Sequence, residues 1–101
     1  MKIKLTFAVK TSGTEVTIYL FLPTNPQQGA WVKLKRDAEG KWSGEHELNP
    51  GSYGYILHIR AGKPNSSWAM SIQRGTNPPL QRRGELDSKG NGVRLGEFTF
   101  S

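Results

Sequence analysis

Polar and apolar residues alternate along most of this chain, and this alternation limits its fold more than any other feature. The segments IKLTFAV and EVTIYLFL carry an apolar residue at every second position. Successive side chains of a β-strand point to opposite faces of a sheet, so each segment predicts a strand with one buried face. No segment shows the period of about 3.6 residues that marks an amphipathic helix. The sequence therefore predicts an all-β protein.

Length and turn composition favour a sandwich of antiparallel sheets. The chain has 101 residues, enough for one modest core, and its 12 glycines and 6 prolines supply turns between short strands. We expect about seven strands in a single domain over residues 1–101, or a domain cut from a longer protein.

Two turn sequences predict which neighbouring strands pair. TSGT predicts a hairpin in which Val9 lies opposite Val16. DAEG predicts a three-residue loop with Gly40 in a left-handed conformation. That loop sets a register in which Val32 lies opposite His46.

The segment KWSGEHELNPGSYGYILHI predicts a further hairpin around its Asn-Pro-Gly-Ser turn. In this hairpin Leu48 lies opposite Tyr53, and His46 lies opposite Tyr55. The side chains that alternation directs toward the core are Trp42, Leu48, Tyr53, Tyr55, Leu57 and Ile59.

The same segment resembles the second half of the immunoglobulin-like starch- and glycogen-binding modules. These modules carry Gly-x-Trp, then a Leu-x-Pro-Gly-x-Tyr-x-Tyr turn, then a strand that leads to a glycine. The matching residues are Gly40, Trp42, Leu48, Pro50, Gly51, Tyr53, Tyr55 and Gly62, and the likeness covers roughly residues 30–63. At the place of the family's Asn-x-Trp motif this chain has LPTNPQQGAW. The resemblance implies an immunoglobulin-like sandwich that binds α-glucan. The Leu-x-Pro-Gly-x-Tyr turn is typical of a corner between two sheets. It also predicts that the Tyr53 hydroxyl forms a hydrogen bond back to the main chain.

Trp31 is the main candidate for contact with a ligand. Alternation directs it away from the core on the same face as Lys33, and the predicted register places it beside Glu47. An exposed indole with polar neighbours suits stacking on a pyranose ring and bonding to its hydroxyls. The sequence therefore predicts a neutral oligosaccharide or polysaccharide as ligand, with Trp31 as the platform and Tyr19, Lys33 and Glu47 as helpers.

A protein partner is the first alternative. Tyr19 and Phe21 both point away from the core side of their strand, and together they would form an aromatic patch. A sandwich also has open sheet edges that accept a partner strand.

An anionic ligand is the second alternative. Residues 74–92 lack sustained alternation and read as a long basic loop, with a short edge strand around residues 84–87. Arginine forks at Arg74, Arg82 and Arg83 are suited to phosphate or carboxylate. The segment contains no aromatic residue, which argues against nucleic acid as the ligand.

The last strand carries two phases of alternation. Val93 and Leu95 share one phase, while Phe98 and Phe100 share the other. This change of phase predicts a β-bulge near Gly96.

Little in the sequence suggests catalysis. The chain has no cysteine, which excludes disulfides, thiol nucleophiles and thiolate metal sites. Alternation places His58 on the wet face opposite Ser43, but no third group is placed to orient the imidazole. His46 and His58 also lack acidic neighbours at the spacing of zinc ligands. We expect a non-enzymatic protein without metal or cofactor.

Charge and hydropathy indicate which partners and which cellular location to expect. The formal net charge is +6, and the basic residues are spread along the chain, as on an ordinary solvated surface. No stretch has the apolar core of a signal peptide or the length of a membrane span. We expect a cytoplasmic protein with no membrane partner.

Overall fold

The computed structural model describes residues 2–100, and within them it contains nine strands and no helix. The strands are β1 (Ile3–Lys10), β2 (Glu15–Leu22), β3 (Asn25–Val32), β4 (Lys35–Arg36), β5 (Lys41–Leu48), β6 (Gly51–Arg60), β7 (Ser67–Arg74), β8 (Leu80–Glu85) and β9 (Gly92–Phe100). They form two antiparallel sheets that pack against each other. The predicted all-β sandwich is confirmed, with nine strands in place of about seven.

The apolar halves of the alternating segments form a single core between the sheets. One sheet has five strands in the order β4-β5-β1-β7-β8, and the other has four in the order β3-β2-β6-β9. The buried hydrophobic residues are Leu5, Phe7, Val9, Val16, Ile18, Leu20, Val32, Tyr55, Leu57, Ile59, Trp68, Met70, Ile72, Leu86 and Phe98. Trp42, Leu48 and Tyr53 pack against this core and are partly buried.

The predicted hairpin between β1 and β2 is wrong, because the two strands belong to different sheets. Val9 pairs with Trp42 and Met70, whereas Val16 pairs with Ile59. The apolar faces of β1 and β2 therefore meet across the core. Alternation is satisfied equally well by strands that pair side by side and by strands that face each other, so it could not choose between them.

The predicted hairpin between β5 and β6 is wrong for the same reason. Leu48 pairs with Ile3 in the five-stranded sheet, and Tyr53 pairs with Phe98 in the four-stranded sheet. His46 lies opposite Leu5 instead of Tyr55. The predicted hydrogen bond from the Tyr53 hydroxyl to the main chain is confirmed. This hydroxyl donates to the Asn49 carbonyl oxygen at 2.7 Å.

The DAEG loop forms as predicted, but the strand before it changes sheets. Lys35 pairs with Ser43, which keeps the predicted register, and Gly40 has a φ of +84°. Val32, however, pairs with Ile18 and not with His46. The chain therefore crosses from the four-stranded to the five-stranded sheet between β3 and β4.

Two C-terminal predictions also need correction. The segment 74–92 is not one long loop, because it contains the edge strand β8, which begins earlier than the short strand expected around residues 84–87. There is no bulge near Gly96, since the β6–β9 register is continuous along the whole of β9. Val93 and Leu95 simply lie on the outer face of the sheet, and Phe98 lies on the inner face. Within residues 2–100, no helix is long and apolar enough to cross a membrane.

Candidate binding face

A row of aromatic and aliphatic side chains crosses all four strands on the outer face of the four-stranded sheet. Trp31 of β3 pairs with Tyr19 of β2, Tyr19 pairs with Ile56 of β6, and Ile56 pairs with Leu95 of β9. We use the name aromatic face for this row together with its neighbours Phe21 and Val93. Directly opposed side chains on one face of a sheet contact each other, so these residues form one continuous surface.

The Tyr19 ring contacts both other aromatic rings of this face; Tyr19 and Phe21 are partly buried, and Trp31 is exposed. The Tyr19 and Trp31 ring centroids lie 5.0 Å apart at an interplanar angle of 56°. The Tyr19 and Phe21 centroids lie 6.1 Å apart at 22°. These distances are within the range of favourable aromatic pairs. Trp31 remains 63% exposed, which confirms the prediction that it points outward.

Two glycines let the Tyr19 and Phe21 rings lie close to the main chain. A Cβ atom on Gly54 would overlap the Phe21 ring, and a Cβ atom on Gly29 would overlap the Tyr19 ring. Each ring therefore rests on the main chain of the neighbouring strand. A larger residue at either glycine would displace the ring that now lies against it.

Polar side chains surround the Trp31 end of the aromatic face. A depression of about 250 Å³ is lined by Thr17, Tyr19, Trp31, Ile56 and His58. A second depression, of about 410 Å³, is lined by Glu15, Val16, Thr17, Trp31, Trp42, His58 and Arg60. Trp31 thus borders two adjoining hollows that combine an aromatic wall with hydroxyl, imidazole, guanidinium and carboxylate groups. The Arg60 Nε atom donates to His58 Nε2 at 3.4 Å, which ties two of these groups together.

The structure brings only part of the predicted glycan site together. Trp31 and Tyr19 are neighbours on the aromatic face, and Lys33 is exposed two residues beyond Trp31. Glu47 instead lies on the outer face of the five-stranded sheet, opposite Lys4. The prediction that Glu47 lies beside Trp31 is wrong because β5 does not share a sheet with β3.

Thr17, Ile56 and His58 were not predicted as part of the site. Alternation already directs Ile56 and His58 outward, but their neighbours depended on which strands pair with β6. The predicted opposition of His58 and Ser43 is also wrong, since His58 pairs with Thr17 and Val93. Ser43 belongs to the other sheet.

The three arginines of the anionic alternative divide between two places. Arg74 and Arg82 line one cleft at the β8–β9 side of the sandwich. Arg83 follows Arg82 on β8 and therefore faces the other way, toward the outer face, where it lies opposite Ala69. Arg82 and Arg83 also line a shallow groove together, so Arg82 borders both hollows, and neither hollow is lined by all three arginines.

The chain matches no protein-family model, no curated protein and no solved structure. The aromatic face and its polar border are therefore the structural basis for a functional proposal.

Proposed function

We propose that this protein is a non-catalytic binding module for a neutral glycan of the α-glucan type. The observation that carries the proposal is the exposed Trp31 indole, in contact with Tyr19 and bordered by two hollows with polar walls. An aromatic ring packs on the C–H face of a pyranose, while hydrogen-bonding side chains take its hydroxyls. Thr17, His58 and Glu15 supply such groups on the same face, and Glu47 has no part in the proposal.

The openness of the aromatic face supports binding over catalysis. Its hollows lie on an outer sheet surface, where water has free access to a bound ligand. A hydrolytic site needs a nucleophile or acid–base pair held in a fixed geometry with water excluded from competing reactions. The immunoglobulin-like resemblance of residues 30–63 supports the choice of α-glucan within the class of neutral glycans.

The three tryptophans provide the test, because each indole N–H has its own environment. Trp31 is exposed, Trp68 is 5% exposed, and the Trp42 indole donates to the Gly13 carbonyl oxygen at 3.3 Å. We expect addition of a soluble α-glucan oligosaccharide to shift the Trp31 indole signal in a saturable way. Trp42 lines the second hollow and should respond less, and Trp68 should not respond.

Two variants complete the experiment. Trp31→Ala should abolish the saturable response of the Tyr19 and His58 amides, while Leu95→Ala, at the far end of the same row, should leave the affinity unchanged. The response should also be insensitive to salt, because the ligand is uncharged. If no signal moves at millimolar oligosaccharide, the proposal is wrong.

A protein-binding surface is the second candidate, and the extent of the aromatic face favours it. Val93 is 62% exposed and Leu95 is 65% exposed, so the apolar surface continues beyond the two hollows. Leu95→Lys should weaken a protein complex and leave oligosaccharide binding intact. A concentration-dependent mass in sedimentation, lost in this variant, would favour assembly over sugar binding.

A further inference from the structure

A second concave surface lies at the opposite side of the sandwich from β3 and β4. There the edge strand β8 of one sheet and the edge strand β9 of the other enclose a cleft of about 620 Å³. Its apolar residues are Leu5, Ile72, Pro78, Leu80, Phe98 and Phe100. The volume lies within the range of about 300–1,000 Å³ that is typical of small-molecule sites, and the lining combines these apolar residues with polar and charged ones.

Two arginines point into this cleft from the inner side of the five-stranded sheet. Arg74 pairs with the buried Leu5, and Arg82 pairs with the buried Met70, so both side chains lie on the core side of their strands. Each is partly buried. They flank Leu80, which shares this inner side.

Neither arginine is neutralised by a carboxylate in residues 2–100. The ion pair found in that range joins Lys4 to Glu45, on the outer face of the five-stranded sheet. Arg82 donates from Nη1 to the carbonyl oxygen of Gln81 at 2.8 Å, which uses one of its five N–H groups. A partly buried guanidinium without an acidic partner is a favourable position for an anion.

We propose that this cleft binds an amphiphilic carboxylate. The apolar tail of the ligand would lie against Leu80 and Phe100, and its carboxylate would bond to Arg74 and Arg82. Glu97 borders the same cleft, so two positive charges and one negative charge leave a net charge of +1. That balance suits a single carboxylate better than a doubly charged phosphate ester, and the apolar residues of the lining would contact the tail.

Three small probes separate the roles of head group and tail. Octanoate carries both, 1-octanol carries only the tail, and acetate carries only the carboxylate. We expect octanoate to shift the amide signals of Leu80, Phe98 and Phe100 in a saturable way, and the other two probes to bind at least about ten-fold more weakly.

The chain offers a matched control on the same strand. Arg82→Gln and Arg74→Gln should each weaken octanoate binding about ten-fold, while Arg83→Gln removes an equal charge from the other face and should have no effect. A normal amide spectrum of each variant would show that the fold is kept.

Three results would overturn the proposal. The first is the absence of saturable shifts with octanoate, and the second is equal binding of 1-octanol, which would show that the arginines do not recognise the head group. The third is an equal loss in Arg83→Gln, which would indicate general charge attraction. The Trp31 indole signal should stay unchanged throughout, so this test is independent of glycan binding.

Discussion

The two outer faces of the sandwich are built from the same alternation and yet differ in chemistry. The aromatic face carries a row of apolar side chains across its four strands. The outer face of the five-stranded sheet instead carries a row of Lys41, Lys10, Ala69 and Arg83, next to a row of Lys35, Ser43, Ala8, Ser71 and Gln81. We call this second surface the basic face. It has no aromatic side chain among its described strand residues.

The difference shows that an outward-pointing strand position can carry either a polar or an apolar side chain. A surface made only to be solvated would resemble the basic face, with small and charged side chains that also discourage aggregation. In residues 2–100 the core does not include Tyr19, Phe21 or Trp31, and the first two of these rings lie against glycines on the outer side of the sheet. The proposed ligand or partner would cover this exposed apolar surface.

The largest expected effect comes from adding one methyl group beneath the aromatic face. Gly54→Ala places a Cβ atom where the Phe21 ring now lies, so the ring has to move. We expect a loss of about 1–3 kcal/mol in the free energy of unfolding, measured by urea denaturation, together with weaker glycan binding.

The basic face supplies the control for this change. Ala69→Ser also adds one heavy atom, but at a partly buried position that lines a shallow groove, and it should change stability by less than about 0.5 kcal/mol. Equal losses in both variants would remove the structural distinction between the two faces.

A smaller effect is expected in the layer just beneath the aromatic face. The Tyr55 hydroxyl is buried and has no hydrogen-bond partner among residues 2–100. Because an unsatisfied buried hydroxyl is unfavourable, Tyr55→Phe should raise the free energy of unfolding by about 1 kcal/mol. Tyr53→Phe, two residues away, removes a hydroxyl that is bonded to Asn49 and should lower it by a similar amount. A loss of stability in Tyr55→Phe would contradict this assignment.

The smallest changes in stability are expected from charge substitutions on the basic face. Lys10 lies directly opposite Lys41, so Lys10→Glu should stabilise the protein by about 0.2–1 kcal/mol. Lys4→Glu, on the same strand, loses the ion pair with Glu45 at 3.3 Å and faces Glu47, and it should destabilise by a similar amount. Thermal unfolding at low and high salt should show both effects shrinking as salt rises. Effects of equal sign would mean that charge pairing does not govern this face.

Features that depend on local geometry could be predicted from the sequence. Alternation identified the buried side of the strands and the outward position of Trp31. Turn chemistry predicted the left-handed Gly40 and the bond of the Tyr53 hydroxyl. Each of these is decided within a few residues, by steric preference or by a short hydrogen bond.

Features that depend on the choice of neighbouring strands could not be predicted in the same way. A turn such as TSGT or NPGS can close a hairpin or carry the chain from one sheet to the other, and both solutions bury the same side chains. The predicted position of Glu47 and the predicted neighbour of His58 were wrong for this reason. The cleft with Arg74 and Arg82 could not be predicted from the sequence, because these two residues come together only when β7 pairs with β8.

The placement of β1 has a consequence for how the chain reaches its native state. Val9 pairs with Trp42 and Met70, so the middle strand of the larger sheet finds its partners far along the chain. Each such pairing has to close a long loop before it gains contacts, so we expect folding in roughly the millisecond-to-second range that is typical of all-β sandwiches. During synthesis β1 must remain unpaired until β5 and β7 have emerged. The lysines that flank its apolar residues keep that waiting segment charged, and so make it a poor template for aggregation.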